Sequence, residues 1–270
     1  MPTSDQLIRP PAVAGLFYPD DPDMLRDIIG TYISAVPTHA KPDRVPTPKA
    51  VIVPHAGYVY SGQAAAQALS RFAPDSALIT RIVLMGPCHG VAVQGLAAPK
   101  ADAFATPLGT IPIDRSAINT VASMSFVTID DAPHAEEYSL EVQLPLLQTV
   151  FGDFTLVPFA VGSATNDQVA AVLETLWGGP ETRIVISSDL SHFLTQEQAT
   201  SLDEQTAQSI ELLDWQSLSY DHACGRIPIS GLLTAAGRHN LSAERIALLT
   251  SADTAGSPDR VVGYGAWAFA

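Results

Sequence analysis

Two kinds of apolar segment alternate along this chain. Short uninterrupted runs at 50–53, 82–85, 154–161 and 183–187 are rich in β-branched side chains, as expected of strands buried on both faces. Between them apolar residues recur at helical spacing: Met24, Leu25, Ile28, Ile29 and Ile33 behind a cap at Asp21 or Asp23, then residues 62–71, then 115–122. Leu140, Leu144, Leu147 and Val150 form one face of a further helix, and Val169, Val172 and Leu173 mark another. A long helix carries Leu202, Ala207, Ile210, Leu212 and Leu213, and a last one carries Leu232, Leu233 and Ala236. Strand candidates 245–250 and 261–269 close the pattern. Residues 13–19 read as a packed turn, 37–48 as a Pro-rich surface connection, and the stretch from the second strand to about 113 as loop-rich. Strands alternating with helices predict a doubly wound α/β fold. No repeat, low-complexity tract or boundary interrupts it, so one domain over 1–270 is expected.

Composition narrows the function. Apolar residues make up 47% of the 270, enough to bury a core without a structural metal. The 28 acidic against 14 basic residues give a formal charge of −14, which disfavours nucleic acid and anionic membrane surfaces, since both depend on cationic contacts. With only Cys88 and Cys224 there is no disulfide framework, and a reducing compartment is the simpler expectation. The first residues lack a basic stretch followed by an apolar one, and no apolar stretch approaches the roughly 20 residues of a membrane helix. A soluble cytoplasmic protein is expected.

Candidate chemistry sits just past three of the strands. His55 follows the run at 50–53, His89 follows 82–85, and His192 follows 183–187 through Asp189. Loops at the carboxyl ends of parallel strands face a common crevice, where open α/β sheets bind ligands. Cys224 precedes a helix start near Pro228, and a helix N-terminus favours thiolate. Two imidazoles and a thiolate make a plausible three-ligand metal set; the plain alternative for Cys224 is a small buried hydrophobe. Asp189 and His192, three apart, suit an orienting carboxylate and a proton-moving imidazole, or else an Asp capping the next helix. Cys88 is read as packing. The polar cluster 134–141 suits a helix dipole, with Glu141 the member that could face the pocket. His39, His222 and His239 lie in polar segments and are expected to face solvent, His222 close to Cys224. There is no Walker loop, Rossmann glycine fingerprint or nucleophile elbow.

Taken in order, several motifs resemble those of the Memo family. They are Arg9-Pro10-Pro11-Ala12 running into Val13-Ala14-Gly15-Leu16-Phe17-Tyr18-Pro19, then Pro54-His55-Ala56-Gly57-Tyr58-Val59-Tyr60-Ser61-Gly62 and Gly86-Pro87-Cys88-His89. Ser139-Leu140-Glu141-Val142-Gln143-Leu144-Pro145, Ser187-Ser188-Asp189-Leu190-Ser191-His192 and Cys224-Gly225-Arg226-Ile227-Pro228-Ile229 follow. The bacterial branch of that family is often called AmmeMemoRadiSam system protein B. The resemblance spans almost the whole chain. It implies an α/β/α sandwich with a mostly parallel central sheet, similar to class III extradiol dioxygenases. It also implies a non-haem metal pocket held by His55, His89 and Cys224 and lined by Asp189 and His192, with iron or copper as the metal and zinc as a further option. The dioxygenases carry a carboxylate where Cys224 stands, so simple catechol cleavage does not transfer to this chain. Family members commonly have His where this chain has Tyr138.

Three functions compete. The first is a metal-dependent oxidoreductase, with His192 as acid/base oriented by Asp189. The second is a non-catalytic protein that binds a small-molecule or peptide ligand on a dioxygenase-like scaffold. The third is a zinc hydrolase.

Overall fold

The computed structural model describes residues 6–36 and 47–270, so residues 37–46 of the predicted connection, His39 included, lie outside the described residues. The chain enters through β1 (Ile8–Arg9) and a tight turn into α1 (Pro22–Ser34). Asp21 is the cap: its carboxylate accepts from the N–H groups of Asp23 and Met24, and Pro22 takes the first helical position. β2 (Ala50–Val53), α2 (Gln63–Leu69) and β3 (Arg81–Pro87) follow where apolar spacing placed them.

The stretch expected to be loop-rich instead holds three strands, β4 (Leu96–Ala98), β5 (Ala103–Thr106) and β6 (Gly109–Pro112). Their Ala, Gly and Pro residues carry little alternation, which is why the pattern did not mark them. β1, β5 and β6 form a small separate sheet. Next come α3 (Arg115–Val121), β7 (Val127–Ile129), α4 (Ala132–Ala135), α5 (Tyr138–Glu141) and α6 (Leu144–Phe151). The face Leu140, Leu144, Leu147, Val150 is therefore split over two helices. Pro145 is the cause: it has no N–H for the carbonyl of Glu141 and its ring crowds that carbonyl, so the helix restarts. The chain continues through β8 (Thr155–Val161), α7 (Asn166–Thr175), β9 (Thr182–Ser187), β10 (His192–Leu194), α8 (Gln196–Glu211), α9 (Arg226–Arg238), β11 (Ala243–Thr250) and β12 (Val261–Phe269).

The main sheet runs β10-β12-β2-β9-β3-β8-β4-β7, with β11 also paired to β12. Its centre, β2-β9-β3-β8, is parallel, while β12 and β4 join it antiparallel. Every residue of β2 and β9 is buried, as strands covered on both faces require. α1, α2 and α6 pack together over one face, and α3, α7 and α9 over the other. This is the α/β arrangement with a mostly parallel central sheet that the sequence suggested. The parallel centre brings the carboxyl ends of β2, β3 and β9 to one edge, so the three loops that carry the histidines converge there. Among the described residues no helix is long and apolar enough to cross a membrane.

Candidate metal centre

His55 leaves the end of β2 and is 1% exposed. Its backbone N–H donates to Asp189 Oδ1 at 2.7 Å, which pins the loop after β2 to the loop after β9. Its Nδ1 lies 2.9 Å from Ser187 Oγ. The Ser187 hydroxyl gives its one proton to Ser139 O at 2.6 Å and accepts from Gln143 Nε2 at 3.0 Å. Ser187 must therefore accept from His55 Nδ1–H as well, and this network assigns the tautomer that leaves the Nε2 lone pair free. Burial first, then the neighbouring His89 charge, pushes the His55 pKa down to about 3. The neutral imidazole that results is the form that binds metal.

His89 leaves the end of β3 on the exposed side of the cluster. Glu137 grips it twice, accepting the backbone N–H at 2.6 Å and facing Nδ1 at 2.9 Å, and it also accepts the Ser139 N–H at 2.9 Å. Burial raises the Glu137 pKa, but the bonds from the His89 ring and backbone and from Ser139 together outweigh it and hold the carboxyl below its ordinary value. A carboxylate on Nδ1 turns Nε2 of His89 outward and strengthens it as a ligand.

Cys224 comes from the loop just ahead of α9. Gly225 makes this approach possible: a Cβ there would stand 2.6 Å from Ser188 Cβ, and its N–H donates to Ser188 Oγ at 2.9 Å. The thiol lies 3.4 Å from His55 Nε2 and 3.6 Å from Asp189 O. The expectation that the helix start favours thiolate is corrected here. Burial first, and then the Asp189 charge, pushes this thiol up to about 12, although α9 begins at Arg226, nearer to Cys224 than expected. The ligand atoms of His55, His89 and Cys224 all lie within 4.8 Å of one another, close enough to hold one ion. The donor set fits: two imidazoles held by their other nitrogens and a half-buried sulfur that a cation would convert to thiolate.

Asp189 is buried and its carboxyl is pushed up by that burial, against the N–H of His55 and the charge of His192. Its carboxylate accepts from the N–H of His55, not from His192, so the expected orienting pair is not made. Nor does Asp189 cap the next helix; Thr195 caps α8. His192 stands exposed at the head of β10, near enough for its charge to act on both Asp189 and His55, with its ring edge-on to Phe193 at 5.7 Å.

The expectation that Glu141 could face the pocket is corrected too. Glu141 is fully buried under the N-terminal turn, paired with Arg9 and accepting from Ala12 N, Val13 N and the Tyr18 hydroxyl. Cys88 packs half-buried with its thiol toward Pro133 O at 3.7 Å. His222 is half-buried, with Nδ1 accepting from Ser219 N; exposed His239 stacks on Trp177 and bonds Glu174. Glu137, Ser187 and Gln143 complete the surroundings and were not singled out from sequence; Tyr138, marked there as the departure from the family's usual His, stands beside them. Tyr138 stacks on His89 at 4.6 Å and 11°. A cleft of about 540 Å³ between Arg26, β6 and Gly152 contains none of these side chains.

Residues 9–268 match the family model for Memo-like proteins. A MEMO1 family protein of Methanobrevibacter smithii is 35% identical, covering 97% of this chain and 100% of the relative. Those of Sulfolobus acidocaldarius and Aquifex aeolicus are each 31% identical, covering 96% and 95% of this chain and 98% and 97% of the relatives. A crystal structure of an uncharacterized Escherichia coli K12 protein aligns with a TM-score of 0.48 at 12% identity, covering 80% of this chain and 98% of that one. The full-length match to the family model and identities above 30% across whole relatives lead to one conclusion: this chain belongs to the Memo family.

Proposed function

We propose that this protein is a non-haem metal-binding oxidoreductase, with iron or copper held by His55, His89 and Cys224. The observation that carries the reading is the convergence of three ligand atoms from three distant segments, each imidazole presented by a bond to its opposite nitrogen. Mixed imidazole and thiolate ligands suit both metals and also zinc. Bound there, the metal would supply one-electron chemistry. Ser187 and Gln143 fix the tautomer of His55, Glu137 aims His89, and Asp189 locks the loop after β2 by holding the His55 N–H. His192, on the open side, is the residue placed to move a proton at its ring nitrogen. We place this activity in the cytoplasm.

A second reading, binding of a small molecule or peptide without turnover, is favoured by three exposed apolar side chains beside site segments. Leu16 adjoins Phe17, Phe193 adjoins His192, and Tyr220 precedes Cys224 by four residues. Anaerobic purification followed by elemental analysis of wild type and Cys224→Ser tests the first. Near-stoichiometric iron or copper in wild type, diminished in the variant, is the expected result. Metal-free wild type would overturn it in favour of the second reading, and stoichiometric zinc with indifference to oxygen would favour a hydrolase.

A further inference from the structure

Hydrogen-bond donors around the three ligand atoms are almost all committed inward. His55 Nδ1–H goes to Ser187, His89 Nδ1 faces Glu137, and the backbone N–H groups of His55 and His89 go to the carboxylates of Asp189 and Glu137. Those two buried carboxylates would repel any anion that approached. Against this background the Tyr138 hydroxyl makes no hydrogen bond among the described residues.

The ring that carries it is held on every side. It lies face-to-face on His89 at 4.6 Å and 11°, edge-on to His55 at 5.7 Å and 81°, and against Phe17 at 4.9 Å. Its backbone is fixed by both neighbours, for Glu137 grips His89 while the Ser139 hydroxyl donates to Pro87 O at 2.9 Å. The charges of Cys224, Glu137 and Asp189 all act on the hydroxyl, so that oxygen lies near the ligand cluster. A donor so placed loses little freedom when it meets a ligand.

Resting on the metal reading above, we propose that Tyr138 is a specificity-determining residue: its unpaired hydroxyl donates the hydrogen bond that holds a small anionic ligand, such as a carboxylate, at the metal. A phenol gives one directed donor and takes up no proton near neutrality, whereas an imidazole at this position would offer either a donor or an acceptor. Tyr138 thus offsets part of the repulsion of Asp189 and Glu137, and its donor favours a ligand that can accept a hydrogen bond at that point over one that cannot.

Cobalt(II)-loaded wild type, Tyr138→Phe and Tyr138→His test this by optical titration with azide and, separately, with neutral imidazole. Cobalt content, measured first, is expected to be equal in all three. Azide should then bind about tenfold or more weakly to Tyr138→Phe, since a hydrogen bond to a charged group is lost. Imidazole affinity should be unchanged, and Tyr138→His should recover part of the azide affinity. Equal azide affinity in wild type and Tyr138→Phe overturns the proposal while leaving the metal site intact. Azide and imidazole weakened alike would overturn it too, because Tyr138 would then only pack, and so would loss of cobalt in Tyr138→Phe. Wild type that takes up no cobalt overturns the metal reading itself, before any azide is added.

Discussion

Glu137 shows how a single side chain can matter to a candidate metal site without being one of its ligand positions. It holds both the ring and the backbone of His89, and caps α5 through the Ser139 N–H. Glu137→Gln keeps the shape and removes the charge, and partners of this kind are worth about 10- to 100-fold in metal affinity. Competition against a chelator should show that loss with metal stoichiometry retained at saturation; unchanged affinity would contradict the role. His55, His89 and Cys224 were legible in the sequence because each stands next to a strand or helix signal and inside a family motif. Glu137 was not, because its acidic neighbours in 134–141 already had a sufficient explanation in the helix dipole. Ser187 acts on His55 across 132 residues of separation and Gln143 on Ser187 across 44, which no local pattern reports. Asp189 was found, but its partner was misread, since adjacency in sequence favoured His192 and the fold favoured His55.

At the level of elements, two buried carboxylates tie the pocket to its supports. Arg9 of β1 pairs with Glu141 of α5 and also donates to His134 O at 2.7 Å and Glu137 O at 2.9 Å, so the N-terminal strand braces the segment that grips His89. Arg9→Met leaves Glu141 buried without its partner cation, at a cost of about 3–5 kcal/mol. Urea midpoints measure it, and a loss well under 1 kcal/mol would count against the brace. Asp203 of α8 accepts the Ser191 N–H at 3.0 Å and so fixes the turn ahead of His192, while Gly263 leaves the room its carboxylate needs. Burial pushes Asp203 from 3.8 up to about 6, against the bonds from Ser191. Between about pH 4 and 6 the folded chain holds a proton that the unfolded chain releases, so this group's stabilisation is present below that window and lost as pH rises through it. Asp203→Asn keeps an acceptor and removes the slope. It should exceed wild type in stability at pH 7 by on the order of 2 kcal/mol and converge with it at pH 4. A wild-type advantage at pH 7 would show that the charge is compensated. The strands β4 to β6 belong to this scale as well: their Ala and Gly residues become strands because tertiary partners claim them, not through their own preference.

For the whole molecule, the charge of −14 matters before any ligand is bound. A divalent cation is drawn toward such a surface, and the attraction is screened as the Debye length falls from about 30 Å at 0.01 M salt to about 8 Å at 0.15 M. Stopped-flow uptake of cobalt(II) should slow several-fold over that range, and a rate indifferent to salt would place the controlling step in the pocket itself.

The late position of Cys224 and β12 along the chain has a further consequence, for the timing of synthesis. His55 and His89 leave the ribosome first, Cys224 long after, and β12, which must slot between β2 and β11, later still. A growing chain therefore displays two histidines beside an unfilled strand edge but no third ligand. Any ion the site keeps is acquired by the finished polypeptide, from whatever metals its surroundings then make available. Affinities for first-row ions follow a fixed order, so the metals at hand where and when the chain folds act together with the ligands in choosing the ion.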